Sequence, residues 1–245
     1  MGVHEQRWRA LFDNHMAFLE THRAEVRRPA DGIHVKSERK EFTYLVPNTT
    51  GVTPEVLAEY HTLQIVPWAN LFDSSFENFR PNGAISYMQL EKIPDSWPAA
   101  NTGIDVRIAQ NKGDIYAFTD VQARGFLGTP EGYQEWAPFL HHANEKNLKS
   151  ENQTFYVGYE KDTPVGVVLA LRTASTVGLY SLATLPGARK KGVGATILKK
   201  AITDAFAKGC TEATLQVTKG DYLRGFFEKL GFKEEFATTL LSKKN

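Results

Sequence analysis

The chain has 245 residues, 42% of them hydrophobic and 23% charged, with a formal net charge of +1. That length suits one large domain or two small ones at roughly 150 residues each, and the composition is that of a globular protein rather than a disordered, collagenous or coiled-coil one. No apolar run approaches the ~18 residues of a membrane span, and the start MGVHEQRWRALFDNH has no continuous apolar signal segment. Cys210 is the sole cysteine, which leaves neither an intrachain disulfide nor a thiolate metal cluster. A cytoplasmic protein with no membrane partner is expected.

In chain order, His4–Arg28 has the spacing of an amphipathic helix: Trp8, Leu11, Phe12, Met16, Phe18, Leu19 and Val26 share a face, and Pro29 and Gly32 stop it. Extended segments at Ile33–Lys36 and Phe42–Val46 and a turn at Pro47–Gly51 follow. Thr53 then caps a helix with Pro54 at its first position, running towards Val66. Ala84–Lys92 is a strand, and Pro94, Pro98 and Gly103 punctuate a boundary that divides the chain into domains 1–102 and 103–245. The first carries ten Lys/Arg against thirteen Asp/Glu, the second nineteen against fifteen, and neither balance suits a general nucleic-acid surface.

Beyond the boundary the expected order is a strand at Ile104–Ala109, a helix at Asp114–Arg124 leading to Gly125, and a helix at Tyr133–Leu148. Strands at Phe155–Tyr159, Val165–Arg172 and Val177–Leu185 come next, the first two joined by a turn at Lys161–Pro164. Val193–Lys208 is the clearest helix in the chain, ended by Gly209, before a strand at Thr214–Val217, a helix at Tyr222–Leu230 and a strand at Phe236–Leu241. This is a mixed α/β pattern.

The chemistry concentrates between Leu179 and Ala195. A strand runs into a glycine-containing loop that opens a long helix, and unpaired amides at a helix start bind anions. Gly192 and Gly194 remove side chains that would keep a phosphate off the backbone, and Arg189, Lys190 and Lys191 add positive charge. A pyrophosphate fits best. The string GxxxxGK[ST] of a P-loop is absent, and the third glycine of GxGxxG is replaced by Ile197, so the pattern is RxxGxG, Arg189 to Gly194.

That loop, with the order of elements around it and the later run Phe226–Phe232, strongly resembles the GNAT acetyltransferase superfamily from about Gly103 to the end. The resemblance implies a GNAT acyl-CoA N-acyltransferase fold, preceded by a smaller α/β domain, that binds acetyl-CoA where two central strands splay apart. It implies that Arg189, Lys190, Lys191, Gly192, Val193, Gly194 and Ala195 hold the pyrophosphate, and that Leu182, Ala183 and Thr184 offer backbone groups to the pantetheine arm and acetyl carbonyl. It also implies direct acetyl transfer to an amine, of a small molecule or a protein, and allows a homodimer. Many family members place a tyrosine acid where this chain has Phe227, which stays with the donor-site residues but cannot donate a proton. Tyr222, about one helical turn earlier, is the candidate substitute.

The strand before the loop has no Glu to act as base, and its polar members are Tyr180 and Ser181. Glu135, His141 and His142 lie on the helix that borders the acceptor site in the family. Adjacent histidines face apart on a helix and nothing completes a metal site; a solvated surface is their expected setting. Cys210 reads as a small buried apolar residue. In the first hundred residues Trp68, Phe72, Phe76, Phe79, Tyr87 and Trp97 read as core, or as an apolar lining for the acceptor; this part resembles the degenerate half of tandem GNAT proteins. The rival to an enzyme is a non-catalytic acyl-CoA sensor or interaction module, and a fold binding another nucleotide is a more distant third.

Overall fold

The structure, a computed structural model, describes residues 2–48, 52–69, 76–98, 101 and 103–244. Phe72, the Gly51 end of the expected turn and the boundary residue Thr102 lie outside them. The chain forms two compact units: residues 1–88, 216–226 and 233–245 make the first, residues 89–215 and 227–232 the second. Most of the last thirty residues belong to the first unit.

In the first unit, helix α1 (Val3–His22) is followed by β1 (Glu25–Arg27), β2 (Gly32–Lys36), β3 (Tyr44–Pro47), α2 (Pro54–Ala58), β4 (Thr62–Ile65) and β5 (Phe79–Leu90), whose last two residues belong to the second unit. The C-terminal strand β11 (Lys233–Lys243) lies between β4 and β5. Two expectations fail here for one reason. Val26 leaves the helical face expected of it, because it pairs with Val35 across β1 and β2. Likewise Thr62–Ile65, expected to continue a helix towards Val66, pairs antiparallel with Thr239–Ser242 of β11. Long-range pairing of β-branched and apolar residues overrides a local helical period. The aromatic core stacks Tyr87 on Phe236 at 4.5 Å, with Trp8, Phe12 and Trp68 around them. Tyr87 and Phe79 are buried, Phe76 packs partly buried on the Leu45–Leu63 cluster, and Gln64 donates to Thr238 Oγ1 at 2.8 Å inside this core.

In the second unit, β6 (Ile104–Ile108), α3 (Lys112–Leu127), α4 (Pro130–Asn147), β7 (Gln153–Glu160), β8 (Thr163–Thr173), β9 (Thr176–Thr184), α5 (Val193–Ala207), β10 (Glu212–Thr218) and α6 (Leu223–Lys229) follow in order. The last three residues of β10 and the first four of α6 count with the first unit. The strand order is β10-β9-β8-β7-β6, antiparallel except for β9 with β10. Helix α3 runs through Gly125 and ends at Gly128, which takes the left-handed cap at φ 63°. Gly125 is interior because α3 lies hard against β9, where a Cβ would meet the Ala183 methyl at 2.8 Å.

Helix α5 is equally close to the sheet. A Cβ on Gly166 would lie 2.6 Å from Val193, and one on Gly158 2.7 Å from Ile197. Gly158 pairs with Gly166, and Ala183 with Val167 one residue further along β8. Side chains alternate along a strand, so α3 and α5 cover opposite faces of this sheet. No helix among the described residues is long and apolar enough to cross a membrane.

Candidate active site

Strand β9 is paired on one edge for only part of its length. Its parallel rungs with β10 are Glu212↔Thr176, Ala213↔Val177 and Thr214↔Gly178, and Leu179–Thr184 have none on that edge among the described residues. On the other edge the ladder slips. Val167 pairs with Ala183 and Leu169 with Tyr180, so Ser181 and Leu182 together face Val168. Ser181 takes φ 55°, a left-handed conformation that costs a residue with a side chain about 1–2 kcal/mol. A bulge of this kind leaves backbone groups outside the ladder and turns the strand.

Three contacts hold this stretch. Gln122 of α3, 1% exposed, donates from Nε2 to Ser181 Oγ at 2.7 Å. Its Oε1 accepts from Asn144 Nδ2 of α4 at 2.8 Å, and the same nitrogen reaches Thr119 Oγ1 at 3.0 Å. One turn along α3, Gly125 meets Ala183 and the Thr184 amide. Arg189 completes the frame, donating from Nε to Thr184 O at 3.1 Å and from Nη2 to Gly125 O at 2.7 Å.

After β9 the chain makes a single 3-10 turn at Pro186–Ala188. Lys190 and Gly192 both take left-handed conformations, at φ 61° and 79°, and Gly192 is the N-cap of α5. Gly192 offers no side chain to cap the helix, and no acidic residue sits in its first turn. The first helical amide to find its carbonyl is Thr196 N, on Gly192 O at 3.0 Å. The amides of Val193, Gly194 and Ala195 therefore stand at the positive end of the helix with no capping side chain, the arrangement that binds anions. Val193 and Ala195 point their side chains into the core, while Lys190 and Lys191 stand in solvent. Trp97 and Asn101 brace this end: Trp97 Nε1 donates to Ala195 O at 3.2 Å, Asn101 Nδ2 to Lys191 O at 2.8 Å, and Asn101 N to Thr196 Oγ1 at 2.9 Å.

The structure thus brings Leu182, Ala183, Thr184 and the Arg189–Ala195 loop onto one continuous strand–loop–helix connection. The Arg189 guanidinium binds two backbone carbonyls and ties the loop to α3 and β9. Phe227 is buried, with its ring edge-on to Phe232 at 6.1 Å. Tyr222 precedes α6, which begins at Leu223, and is 82% exposed. His141 lies 3.6 Å from Glu145 and edge-on to Tyr116. It lines a cleft of about 330 Å³ between α3 and α4 that also takes in Asp120 and Tyr133. Thr119, which contacts Asn144, lines the same cleft. No group of three or more His, Cys, Asp or Glu among the described residues could hold a metal ion. Cys210 is buried, which pushes its thiol pKa up. Sequence reasoning missed Gln122, Asn144, Asn101 and the packing role of Gly125, and read Trp97 only as core or lining; polar residues at the helix-spaced, core-facing positions 119 and 122 were the sign available for the first.

Residues 116–232 match the family model of the acetyltransferase (GNAT) family. Among solved structures the chain is similar to a GCN5-related N-acetyltransferase from Kribbella flavida, with a TM-score of 0.66 and 12% identity over 100% of this chain and 97% of that one. A functionally unknown conserved protein from Staphylococcus epidermidis aligns with a TM-score of 0.64 and 11% identity over 93% of this chain and 97% of its own. A tandem GNAT protein from the clavulanic acid biosynthesis pathway aligns with 0.56 and 11%, over 77% and 66%. These likenesses establish the fold. No curated protein sequence matches.

Proposed function

With a GNAT-family domain over residues 116–232, the chain is a GNAT-type acetyltransferase, and we propose that it moves an acetyl group from acetyl-CoA directly to an amine. The observation that carries the choice of donor is the uncapped start of α5, where Gly192 turns the backbone and the first three amides have no capping side chain. A pyrophosphate needs several donors and no side chain in the way, and these residues fit it. Lys190 and Lys191 add charge above the loop. The pantetheine arm then follows the edge of β9 left without a strand partner, with peptide groups of Leu182, Ala183 and Thr184 as its hydrogen-bonding track.

The reaction forms a C–N bond and breaks a C–S bond. The neutral amine attacks the thioester carbonyl, negative charge gathers on the carbonyl oxygen in the tetrahedral intermediate, the nitrogen gives up a proton to solvent, and the thiolate leaves as the carbonyl re-forms. Backbone N–H groups freed by the β9 bulge suit the developing oxyanion, because fixed donors in a dry setting need no reorganisation. Phe227 offers no proton, so Tyr222 is the phenol this reading assigns to the departing sulfur. The acceptor is a small-molecule or protein amine. The first unit is read as a degenerate copy of the same half, since β3 and β4 are parallel, joined through α2, as β9 and β10 are through α5.

Thiol release from acetyl-CoA in the presence of an amine panel tests the proposal. Amine-dependent release is expected, and CoA binding without release under every amine would favour the sensor instead. Tyr222→Phe is expected to lower kcat about tenfold with KM unchanged, the pattern of an interaction made only in the transition state. An unchanged kcat would return Tyr222 to the surface.

A further inference from the structure

We infer that Gln122 is a positioning residue for acetyl transfer: it holds Ser181 in the left-handed conformation that builds the β9 bulge, and so sets the direction of the backbone N–H groups that meet the acetyl carbonyl. The inference rests on the proposed donor site and names a residue that does not itself touch the substrate.

A chain of buried contacts carries the argument. Gln122 bridges Asn144 at 2.8 Å and Ser181 at 2.7 Å, so its amide is held at both ends. Ser181 Oγ is held by a side chain that is itself anchored on α4. Gln122 and Asn144 are each 1% exposed and Thr119 3%. The anchor of Gln122 on Asn144 is therefore dry and strong, while Ser181 at its end is half-buried. The chain Thr119–Asn144–Gln122–Ser181 links α4 through α3 to the one residue of β9 with positive φ.

A serine does not choose that conformation unaided; it persists where the surroundings over-determine it. Gly125 and Arg189 fix α3 and β9 on the other side of Leu182, at Ala183 and Thr184. Leu182 is thus clamped from both sides. Without Gln122, Ser181 is free to relax towards an extended backbone, which restores a regular ladder with β8 and withdraws the donors from the cleft.

The test uses acetyl-CoA labelled with ¹³C at the carbonyl, together with CoA, and reads two quantities: dissociation constants by calorimetry and the carbonyl stretch of bound donor by infrared difference spectroscopy. In the unsubstituted protein the stretch is expected to lie below that of free donor. Gln122→Met is expected to return it towards the free value and weaken acetyl-CoA about 5–10-fold, the worth of one hydrogen bond, with CoA affinity unchanged. Adding Ser181→Gly to Gln122→Met is expected to restore both, since glycine takes positive φ without help. Gln122→Glu, which can bridge the same two partners, is expected to keep the shift and stands in should Gln122→Met fail to fold.

An unchanged stretch in Gln122→Met, equal loss of CoA and acetyl-CoA affinity, or no recovery in the double variant would each overturn the positioning role while leaving the donor site standing. Failure of the unsubstituted protein to bind either CoA would instead bring down the donor site, and the inference with it.

Discussion

Each unit contains a parallel pair of strands joined through a helix, and the two helices begin in opposite ways. Helix α5 starts at a left-handed glycine, with no side chain on its first amides and no acid in its first turn. Helix α2 is five residues long and caps itself: Thr53 Oγ1 accepts from Val56 N, Pro54 has no N–H to offer, and Glu55 sits in the first turn. The hydrogen bond with Thr53 also holds Glu55 below the usual carboxylate range, so its negative charge is kept where an anion would approach. Parallel crossover topology is common to both. What separates an anion site from a plain connection is whether the first-turn amides are already satisfied.

The comparison can be broken at the glycine. Gly192→Val puts a branched side chain at φ 79° and across the amides, and is expected to weaken CoA about 100-fold, as for loss of hydrogen bonds to a charged ligand. A calorimetric titration reads this, and undiminished affinity would mean that the α5 start is structural, as at α2. Arg189→Met comes next. It removes the hydrogen bonds to Thr184 O and Gly125 O and is expected to cost about 1–2 kcal/mol, a melting point lower by roughly 2–8 °C. Arg189→Lys should not recover it, because one ammonium is a poor replacement for a fork spanning two carbonyls. Full recovery with lysine would assign Arg189 to charge alone.

The smallest effect sharpens the comparison from the other unit. Thr53→Ala removes the α2 cap and is expected to lower stability by about 1 kcal/mol in a thermal melt. CoA affinity should not change. A gain or loss of CoA binding would mean that α2 takes part in the donor site after all.

Much of this was legible in the sequence where local signals and final structure agree. The glycines and basic residues from Arg189 to Gly194 mark the loop, the apolar face from Val193 to Phe206 marks α5, and Thr53-Pro54 marks the start of α2. The strands of the second unit also fall within a few residues of where alternation puts them. What could not be read depends on partners far away in the chain. The fate of Val26 is decided by Val35, and that of Leu63 by Leu241 at the other end of the protein. Gly125 looks like a helix end until Ala183 is seen against it. Ser181 gives no sign of positive φ, since that conformation belongs to the bulge and to Gln122 rather than to serine.

The central claim is that the open start of α5 receives the pyrophosphate of CoA, and a thermal melt with acetyl-CoA, CoA, ATP and NAD tests it most directly. At about 100 times the dissociation constant a ligand adds about 2.7 kcal/mol, a rise of roughly 5–10 °C for a chain of this size. The account predicts that rise with acetyl-CoA and CoA, its absence with ATP and NAD, and its loss in Gly192→Val. No rise with either form of CoA, in a protein that melts cooperatively, would contradict it.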